Sequence, residues 1–378
     1  MHTYAFQLGR LRDLSQEEIV TVFAQKRILI VHTRLVGEHL LISVETPIDA
    51  AAMMHQLGGT KLIGEKLNPK GNAEETTFSY LSELPSDQKL HFSISGGTHA
   101  ARLAVAVKKK LKKIGRSVRY VETKNTATIL HNNLVGKGSH LTIIDNVVYV
   151  TRAIQPIEEM SERDYGRPSI DNKSGMLPPK LARMMINLTM PNKGETILDP
   201  FCGSGTLLGE AMSLGIEHII GSDISERATA DAQANATWFQ EKFNIQHSTF
   251  RIFTSDIRTL STEIENKTID IIATEPLLGV PRTGREQKVF LQKQAEELKQ
   301  LYIDAFSVFK KIMKPDGRIV FVVPRFRYKE EWITIDCQKQ IEQLGFELLP
   351  YELSDMPLVY ARDEQFVARE IWRWKLAS

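Results

Sequence analysis

The chain has 378 residues, enough for two or three domains of ~100–200 residues each, with 42% hydrophobic and 25% charged residues. That balance excludes a disordered, collagen-like or membrane-embedded polypeptide. The formal net charge of +2 hides a split: residues 75–155 carry 12 Lys and Arg against 5 Asp and Glu, and the remainder is net −5. A basic segment in a mildly acidic chain points to a polyanionic partner. The most apolar stretch, 319–323, is far short of the ~18 residues of a membrane span. Arg10, Arg12 and Asp13 stand where a secretory signal needs apolar residues. Cys202 and Cys337 allow at most one disulfide. A cytoplasmic protein with no membrane partner is expected.

Along the chain, residues 4–8 read as a strand, 15–24 as a helix, and 28–32 and 40–44 as strands. The polar, Gly/Pro-containing residues 68–75 read as a linker, giving a first domain over 1–70. A second block over 75–155 opens with a strand at 90–95 and the turn Gly96-Gly97. A helix follows to Ile114, with Leu103, Val107, Leu111 and Ile114 on one face. Residues 118–121 and 141–150 read as further strands. Residues 156–175 form a second linker, and the final domain runs over 176–378. There, strand patterns at 196–201, 218–223, 250–256, 269–275 and 318–323 are separated by helix-sized intervals, which implies a parallel sheet with helices on both faces. The last two, 346–353 and 370–376, have no obvious helix between them and are expected to pair at one edge. Cys337, in register with Ile333, Ile341 and Leu344, reads as a small core residue.

The run Asp199-Pro200-Phe201-Cys202-Gly203-Ser204-Gly205-Thr206 leaves a strand, turns through two glycines and enters a helix. Glycine lets the backbone approach a ligand, and a helix N-terminus offers free N–H groups. Asp223 ends the next strand, where an acid can accept from ribose hydroxyls. Asp256 ends the third and can accept from an adenine amine. Three strand-end acids around one glycine turn describe a nucleoside pocket. A dinucleotide site is the competitor, but Asp199 would repel a pyrophosphate and would favour a cationic amine or sulfonium.

The Asp199–Thr206 run resembles the first motif of class I S-adenosylmethionine (SAM)-dependent methyltransferases, especially those that methylate amines. That resemblance implies a Rossmann-like seven-stranded α/β sheet, SAM as cofactor, and contacts from Pro178, Asp199, Phe201, Cys202, Gly203, Ser204, Gly205, Thr206, Asp223, Ile224, Asp256 and Ile257. The fourth strand ends Glu275-Pro276-Leu277-Leu278-Gly279. Amine methyltransferases place Asn or Asp, two prolines and an aromatic ring there. Here Glu275 stands for the acid, Leu277 for the second proline and Leu278 for the ring, so stacking worth ~1–3 kcal/mol per base is missing. Glu275, Pro276 and Leu278 are the expected catalytic positions, with Phe326 and Tyr328 as rings that could replace the lost one.

Lys108, Lys109, Lys110, Lys112, Lys113 and Arg116 place cations on the solvent side of an amphipathic helix, an expected RNA-binding face. Only 75 residues separate Asp199 from Glu275, too few for a recognition insert, so recognition falls to the N-terminal half. With Arg163-Asp164-Tyr165-Gly166-Arg167-Pro168, Gly175-Met176-Leu177-Pro178-Pro179 and the tail Arg369-Glu370-Ile371-Trp372, this layout resembles the THUMP-containing tRNA guanine-N2-methyltransferases of the guanine-10 type. The resemblance implies a ferredoxin-like domain over 1–70 and a THUMP domain over 75–155, both α+β, ahead of the methyltransferase domain. It implies tRNA as partner and leaves open a small activating subunit. A DNA amino-methyltransferase and an inert RNA-binding relative of the same fold are the alternatives. Pro178-Pro179 reads as a helix start, with Leu181, Met184, Met185 and Leu188 buried behind it.

Overall fold

The computed structural model describes residues 1–378 except 86–87, 98, 124, 170–175, 356, 362–364 and 378. Gly175, quoted above in the pre-helix motif and in the linker, lies outside the described residues. The chain forms two compact units: residues 1–16 with 26–157, and residues 17–25 with 158–378.

In the first unit β1 (His2–Leu8) is followed by α1 (Arg12–Gln25), then β2 (Ile30–Val36), β3 (His39–Val44), α2 (Ala50–Gln56) and β4 (Thr60–Lys66). Next come α3 (Ala73–Glu83), β5 (Leu90–Ser95), α4 (Ala100–Lys113), β6 (Val118–Tyr120), α5 (Thr126–His131), β7 (His140–Ile144) and β8 (Val147–Ile154). Eight strands make one sheet in the order β2-β3-β1-β4-β8-β7-β5-β6. The segments 1–70 and 75–155 therefore share a sheet, joined where β4 pairs with β8. The expected linker at 68–75 ends inside α3, because the Asn72 side chain and Glu75 form a reciprocal capping box that starts a helix there. The single strand expected over 141–150 is a hairpin. Asp145 and Asn146 take φ of 48° and 61°, the left-handed pair that a two-residue turn requires.

After residues 17–25, the second unit continues with α6 (Ile157–Tyr165), a helix inside the expected linker 156–175 whose first residue closes the first unit, and α7 (Pro179–Leu188). Its helical pattern was masked because one of its two buried residues is Arg163, the other Met160. There follow β9 (Thr196–Asp199), α8 (Thr206–Ser213), β10 (His218–Asp223), α9 (Glu226–Lys242), β11 (Thr249–Thr254) and β12 (Ile269–Thr274). The chain ends with α10 (Lys288–Ile312), β13 (Met313–Tyr328), β14 (Glu331–Ile333), α11 (Gln338–Gln343), β15 (Phe346–Leu348), β16 (Leu358–Tyr360) and β17 (Val367–Leu376). The sheet order is β11-β10-β9-β12-β13-β17-β15. Strands β9 to β13 run parallel, and β17 is antiparallel to both its neighbours. This is the mixed α/β architecture expected, but among the described residues the sheet has nine strands, not seven, because β14 pairs with β13 and β16 with β17. β15 and β17 pair, yet β17 lies inside the sheet and β16 intervenes in the chain, so they are not an edge hairpin. Between β11 and β12 only a 3-10 turn at Ile257–Thr262 intervenes, shorter than the helix expected.

The core of this unit is aromatic: Phe306, Phe309, Phe321 and Trp374 are fully buried among apolar strands. Cys337 and Ile341 belong to it, as expected. Helix α7 buries Leu181, Met184, Met185 and Leu188. Residues 17–25 of α1 are also part of this unit, and two acids there are fully buried. Glu17 accepts from the backbone N–H groups of Glu352 (3.0 Å) and Leu353 (2.6 Å). Glu18 accepts from the Asn187 amide at 2.7 Å.

Candidate active site

In a sheet of order 3-2-1-4-5 the first and fourth strands are neighbours, and the crevice past their C-terminal ends is where ligands bind. Here those ends are Asp199 of β9 and Thr274 of β12, and they touch. The Thr274 hydroxyl donates to Asp199 Oδ1 at 2.6 Å, and the Phe201 N–H donates to the same oxygen at 3.2 Å. Asp199 is 3% exposed, and burial pushes its carboxyl up to about 7 despite those two donors. A buried acid held near neutrality is primed for a cationic partner.

After Asp199 the chain turns through Gly203 (φ 49°) and Gly205 (φ 80°) into α8. A Cβ on Gly205 would sit 3.2 Å from Ala232 Cβ, whereas one on Gly203 would meet nothing within 4 Å. Gly205 lets α9 approach; Gly203 faces open space. Asp223 ties the turn to β10: its Oδ2 accepts from Gly203 N–H and its Oδ1 from Ser225 N–H, both at 3.0 Å. Beside it Ile224 stands 69% exposed, an apolar side chain at the mouth. Asp256 caps the 3-10 turn by accepting from Arg258 N–H at 2.9 Å and pairs with the Arg258 guanidinium at 3.5 Å. Ile257, expected at the pocket wall, is packed in the core. Cys202 is buried, which raises its thiol well above the usual range, so it packs rather than reacts. Pro178 precedes α7 as its N-cap, and the Ser204 hydroxyl lies 3.6 Å from Met176 Sδ.

Residues absent from the expected set hold the turn from behind. Asn235, 2% exposed, donates to the Ser204 and Ser169 carbonyls, both at 2.8 Å. Arg167 donates to the Thr206 hydroxyl at 2.7 Å. Arg163 and Arg183 flank the buried Glu210 carboxylate at 2.8 and 2.7 Å. The Arg163–Pro168 motif is thus a structural clamp on α8. Asn235 sits mid-helix between Ala234 and Ala236, and nothing in its local sequence marks it.

At the fourth strand's end, Glu275 forms a two-pronged pair with Arg369 of β17: Nε bonds one carboxylate oxygen and Nη2 the other, at 3.2 Å. Burial raises the Glu275 carboxyl and Arg369 opposes that rise. The sequence reading left this carboxylate unpartnered. Pairing it required knowing that β17 inserts beside β13. Pro276 is buried and Leu278 half-buried. Leu277 is 58% exposed, its carbonyl accepting from the buried Tyr302 hydroxyl at 2.7 Å. Gly279 takes φ of 95°, and a Cβ there would lie 2.7 Å from the Gln294 amide. Phe326 and Tyr328 do not lie past the fifth strand as expected; both are within β13. Phe326 is wholly buried in the core, so it is no stacking platform.

The basic helix holds its cations unevenly. Lys109, Lys112 and Lys113 are exposed and Lys108 is half-buried. Lys110 pairs with Glu74 at 2.6 Å. Arg116, expected to meet phosphates, instead pins the turn after α4 by donating to the Ser82, Leu84 and Pro85 carbonyls. Among the described residues no cluster of His, Cys, Asp and Glu suits a metal ion, and no helix is long and apolar enough to cross a membrane.

Together, the strand order, the glycine turn and the paired strand ends define a class I methyltransferase-like fold. The RMKL-like methyltransferase domain matches residues 167–343, and a DNA methylase family matches 99–234. The tRNA (guanine(10)-N2)-dimethyltransferase of Methanocaldococcus jannaschii is 27% identical over 193 residues, 49% of this chain and 48% of that one. A probable tRNA (guanine(10)-N2)-dimethyltransferase of Methanothermococcus thermolithotrophicus is 30% identical over 150 residues, 39% of this chain and 80% of that protein. The chain belongs to this family of tRNA (guanine(10)-N2)-dimethyltransferases. It spans about half the length of the first of these relatives. In fold it is similar to TrmN from Thermus thermophilus, with a TM-score of 0.54 at 15% identity over 99% of each chain.

Proposed function

We propose that this protein is a SAM-dependent RNA methyltransferase acting on the exocyclic N2 amine of a guanine in tRNA, of the position-10 type. The observation that carries the reading is the meeting of Asp199 and Thr274, which sets the glycine turn and Glu275 side by side. The family's names supply the substrate class.

The pocket residues suit SAM. Burial, helped by the nearby Asp223 and Glu275 carboxyls, disfavours the Asp199 carboxylate, and the α-ammonium and sulfonium of SAM are cations that would compensate it. Gly203 leaves backbone open to the ligand, Asp223 keeps lone pairs for ribose hydroxyls, and exposed Ile224 offers a flat base an apolar contact. When bound, SAM supplies a methyl group activated by its sulfonium sulfur. Its transfer would exchange the S–C bond for an N–C bond, leaving S-adenosylhomocysteine, and the amine's surplus proton would pass to water. Arg369 opposes the effect of burial on Glu275 and fixes its direction, so this group orients the amine and, as the carboxylate, stabilises the positive charge that develops on it. With Leu277 and Leu278 in place of a ring, a flipped guanine has apolar contact without a π-face. The N-terminal unit is the RNA-recognition module in this reading, ferredoxin-like over 1–70 and THUMP over 75–155, with Lys108, Lys109, Lys112 and Lys113 toward RNA.

Mass spectrometry of nucleosides from tRNA incubated with the purified chain and SAM tests this: N2-methylated guanosine is expected. Activity only after adding a cell extract would indicate a small activating subunit. The DNA methylase match favours a second reading, a DNA amino-methyltransferase, but it runs across the junction of the two units. Methylated adenine or cytosine in DNA, with unmodified tRNA, would establish it. No methylated product with intact cofactor binding would make the protein an inert binder.

A further inference from the structure

Beyond Glu275 the chain does not run straight into α10. Residues 279–287 form a loop folded around one carboxylate. Glu286 accepts from the Thr283 N–H (2.7 Å), the Thr283 hydroxyl (3.0 Å), the Gly284 N–H (3.1 Å) and Arg282 Nε (3.1 Å). These donors leave Glu286 turned inward. Arg282 also donates to the Arg327 carbonyl at 3.3 Å and lies over the Phe326 ring. Its side chain is 4% exposed, yet its Nη1 is buried with no hydrogen-bond partner among the described residues. The loop borders a cleft of about 460 Å³ at the C-terminal end of β13, lined by Arg282, Arg285, Arg327 and Lys329 with the rings of Tyr328 and Phe366. Four cations thus face one carboxylate that is already bonded.

Register places this cleft near the reacting centre. Pro324 of β13 pairs with Arg369 of β17, and Arg369 holds Glu275. Arg327 lies three residues further along β13, about 10 Å at ~3.3 Å per residue. Because β13 runs parallel to β12, its end emerges on the same side of the sheet as Glu275. Cations interleaved with aromatic rings are what a single-stranded nucleic acid requires, phosphates meeting the charges and bases meeting the π-faces.

We infer that this cleft holds the RNA strand next to the target nucleotide, with Arg285, Arg327 and Lys329 against phosphates and Tyr328 or Phe366 under a base. The inference rests on the tRNA reading above and extends it to a second contact surface, on the methyltransferase unit itself. It also offers an aromatic contact outside the altered Glu275–Leu278 segment.

The test is the salt dependence of tRNA binding by the full chain. Arg285→Gln with Lys329→Gln changes two exposed side chains. It should make the slope of log affinity against log salt shallower by about 1–1.5, the release of ions from two single-strand phosphate contacts. Lys193→Gln with Lys293→Gln, removing two exposed charges elsewhere, should leave the slope unchanged. Phe366→Ala should lower affinity at all salt concentrations without altering the slope. Titration with S-adenosylhomocysteine should be the same for every variant. A cleft variant whose slope equals that of the control overturns this assignment alone. A wild-type chain that binds no tRNA while retaining S-adenosylhomocysteine overturns the tRNA reading and this inference together.

Discussion

Asp199 carries the clearest pH signature. Its folded carboxyl titrates at about 7, above the ordinary Asp value of ~3.9. The folded state therefore binds the proton more tightly than the unfolded chain does, and stability contributed by the neutral acid is lost as pH rises from about 4 through 7. Ligand binding should show the opposite trend. The α-ammonium of S-adenosylhomocysteine prefers the ionised acid, so its affinity should climb as pH rises toward 7 and level off above it. In Asp199→Asn it should be weaker and flat, as calorimetric titration would reveal. Asp223→Ala should weaken the same ligand by removing an acceptor and loosening Gly203. A second expectation concerns Glu275 and Arg369. Breaking a buried pair by deleting one member costs about 3–5 kcal/mol, so Arg369→Leu should lower the unfolding midpoint sharply and turnover with it. Glu275→Gln keeps one acceptor oxygen and removes the charge, and should reduce turnover while tRNA and S-adenosylhomocysteine still bind. Turnover equal to wild type in Glu275→Gln would remove the carboxylate from the chemistry.

Helices and strands were legible where periodicity and burial agree. β10 was read to the residue and α7 showed its buried face, because apolar side chains do the burying there; on α4 Val107 and Leu111 are buried, but Leu103 is half-buried and Ile114, at the helix end, is exposed. Polarity misled the reading at α6, whose buried Arg163 is charged, and at α3, whose start is set by a cap. The hairpin of β7 and β8 was hidden because Asp145-Asn146 lies in an otherwise continuous strand pattern. Within the site, the glycine turn is contiguous with Asp199, and Asp223 and Asp256 end the next strand patterns, so all were visible. Arg369 and Asn235 were not, since each meets partners distant in sequence, Arg369 through the order of strands; Arg282 meets Glu286 four residues on, but in a loop where no periodicity marks the pair. Helix α4 supplies a test at this scale. Lys109, Lys112 and Lys113 are exposed, and changing all three to Gln should flatten the salt dependence of tRNA binding by about 2 in slope if each meets a phosphate of single-stranded RNA. Arg116→Gln should instead destabilise the turn after α4, read as a lowered thermal midpoint with little change in that slope.

At the level of the whole chain, the methyltransferase unit is not a contiguous piece of sequence. Residues 17–25 belong to it, and Ile19, Val22, Phe23, Glu17 and Glu18 are all 0% exposed. A protein cut to residues 158–378 would leave the Glu352 and Leu353 N–H groups without their acceptor and Asn187 without Glu18. It should therefore melt well below the intact chain and be prone to aggregate, which differential scanning calorimetry and light scattering would show. Recovery of full stability in that piece would mean that the segment is dispensable.

That arrangement has a consequence in time. Glu17 and its partner Leu353 are 336 positions apart. At ~5–20 residues per second, a ribosome needs roughly 20–70 s to make the second after the first. Throughout that interval Glu17 lacks the Glu352 and Leu353 N–H groups that it accepts from in the folded chain. Its charge is then an asset: a carboxylate keeps that stretch of the helix hydrated until residues 352–353 emerge and supply their two N–H groups.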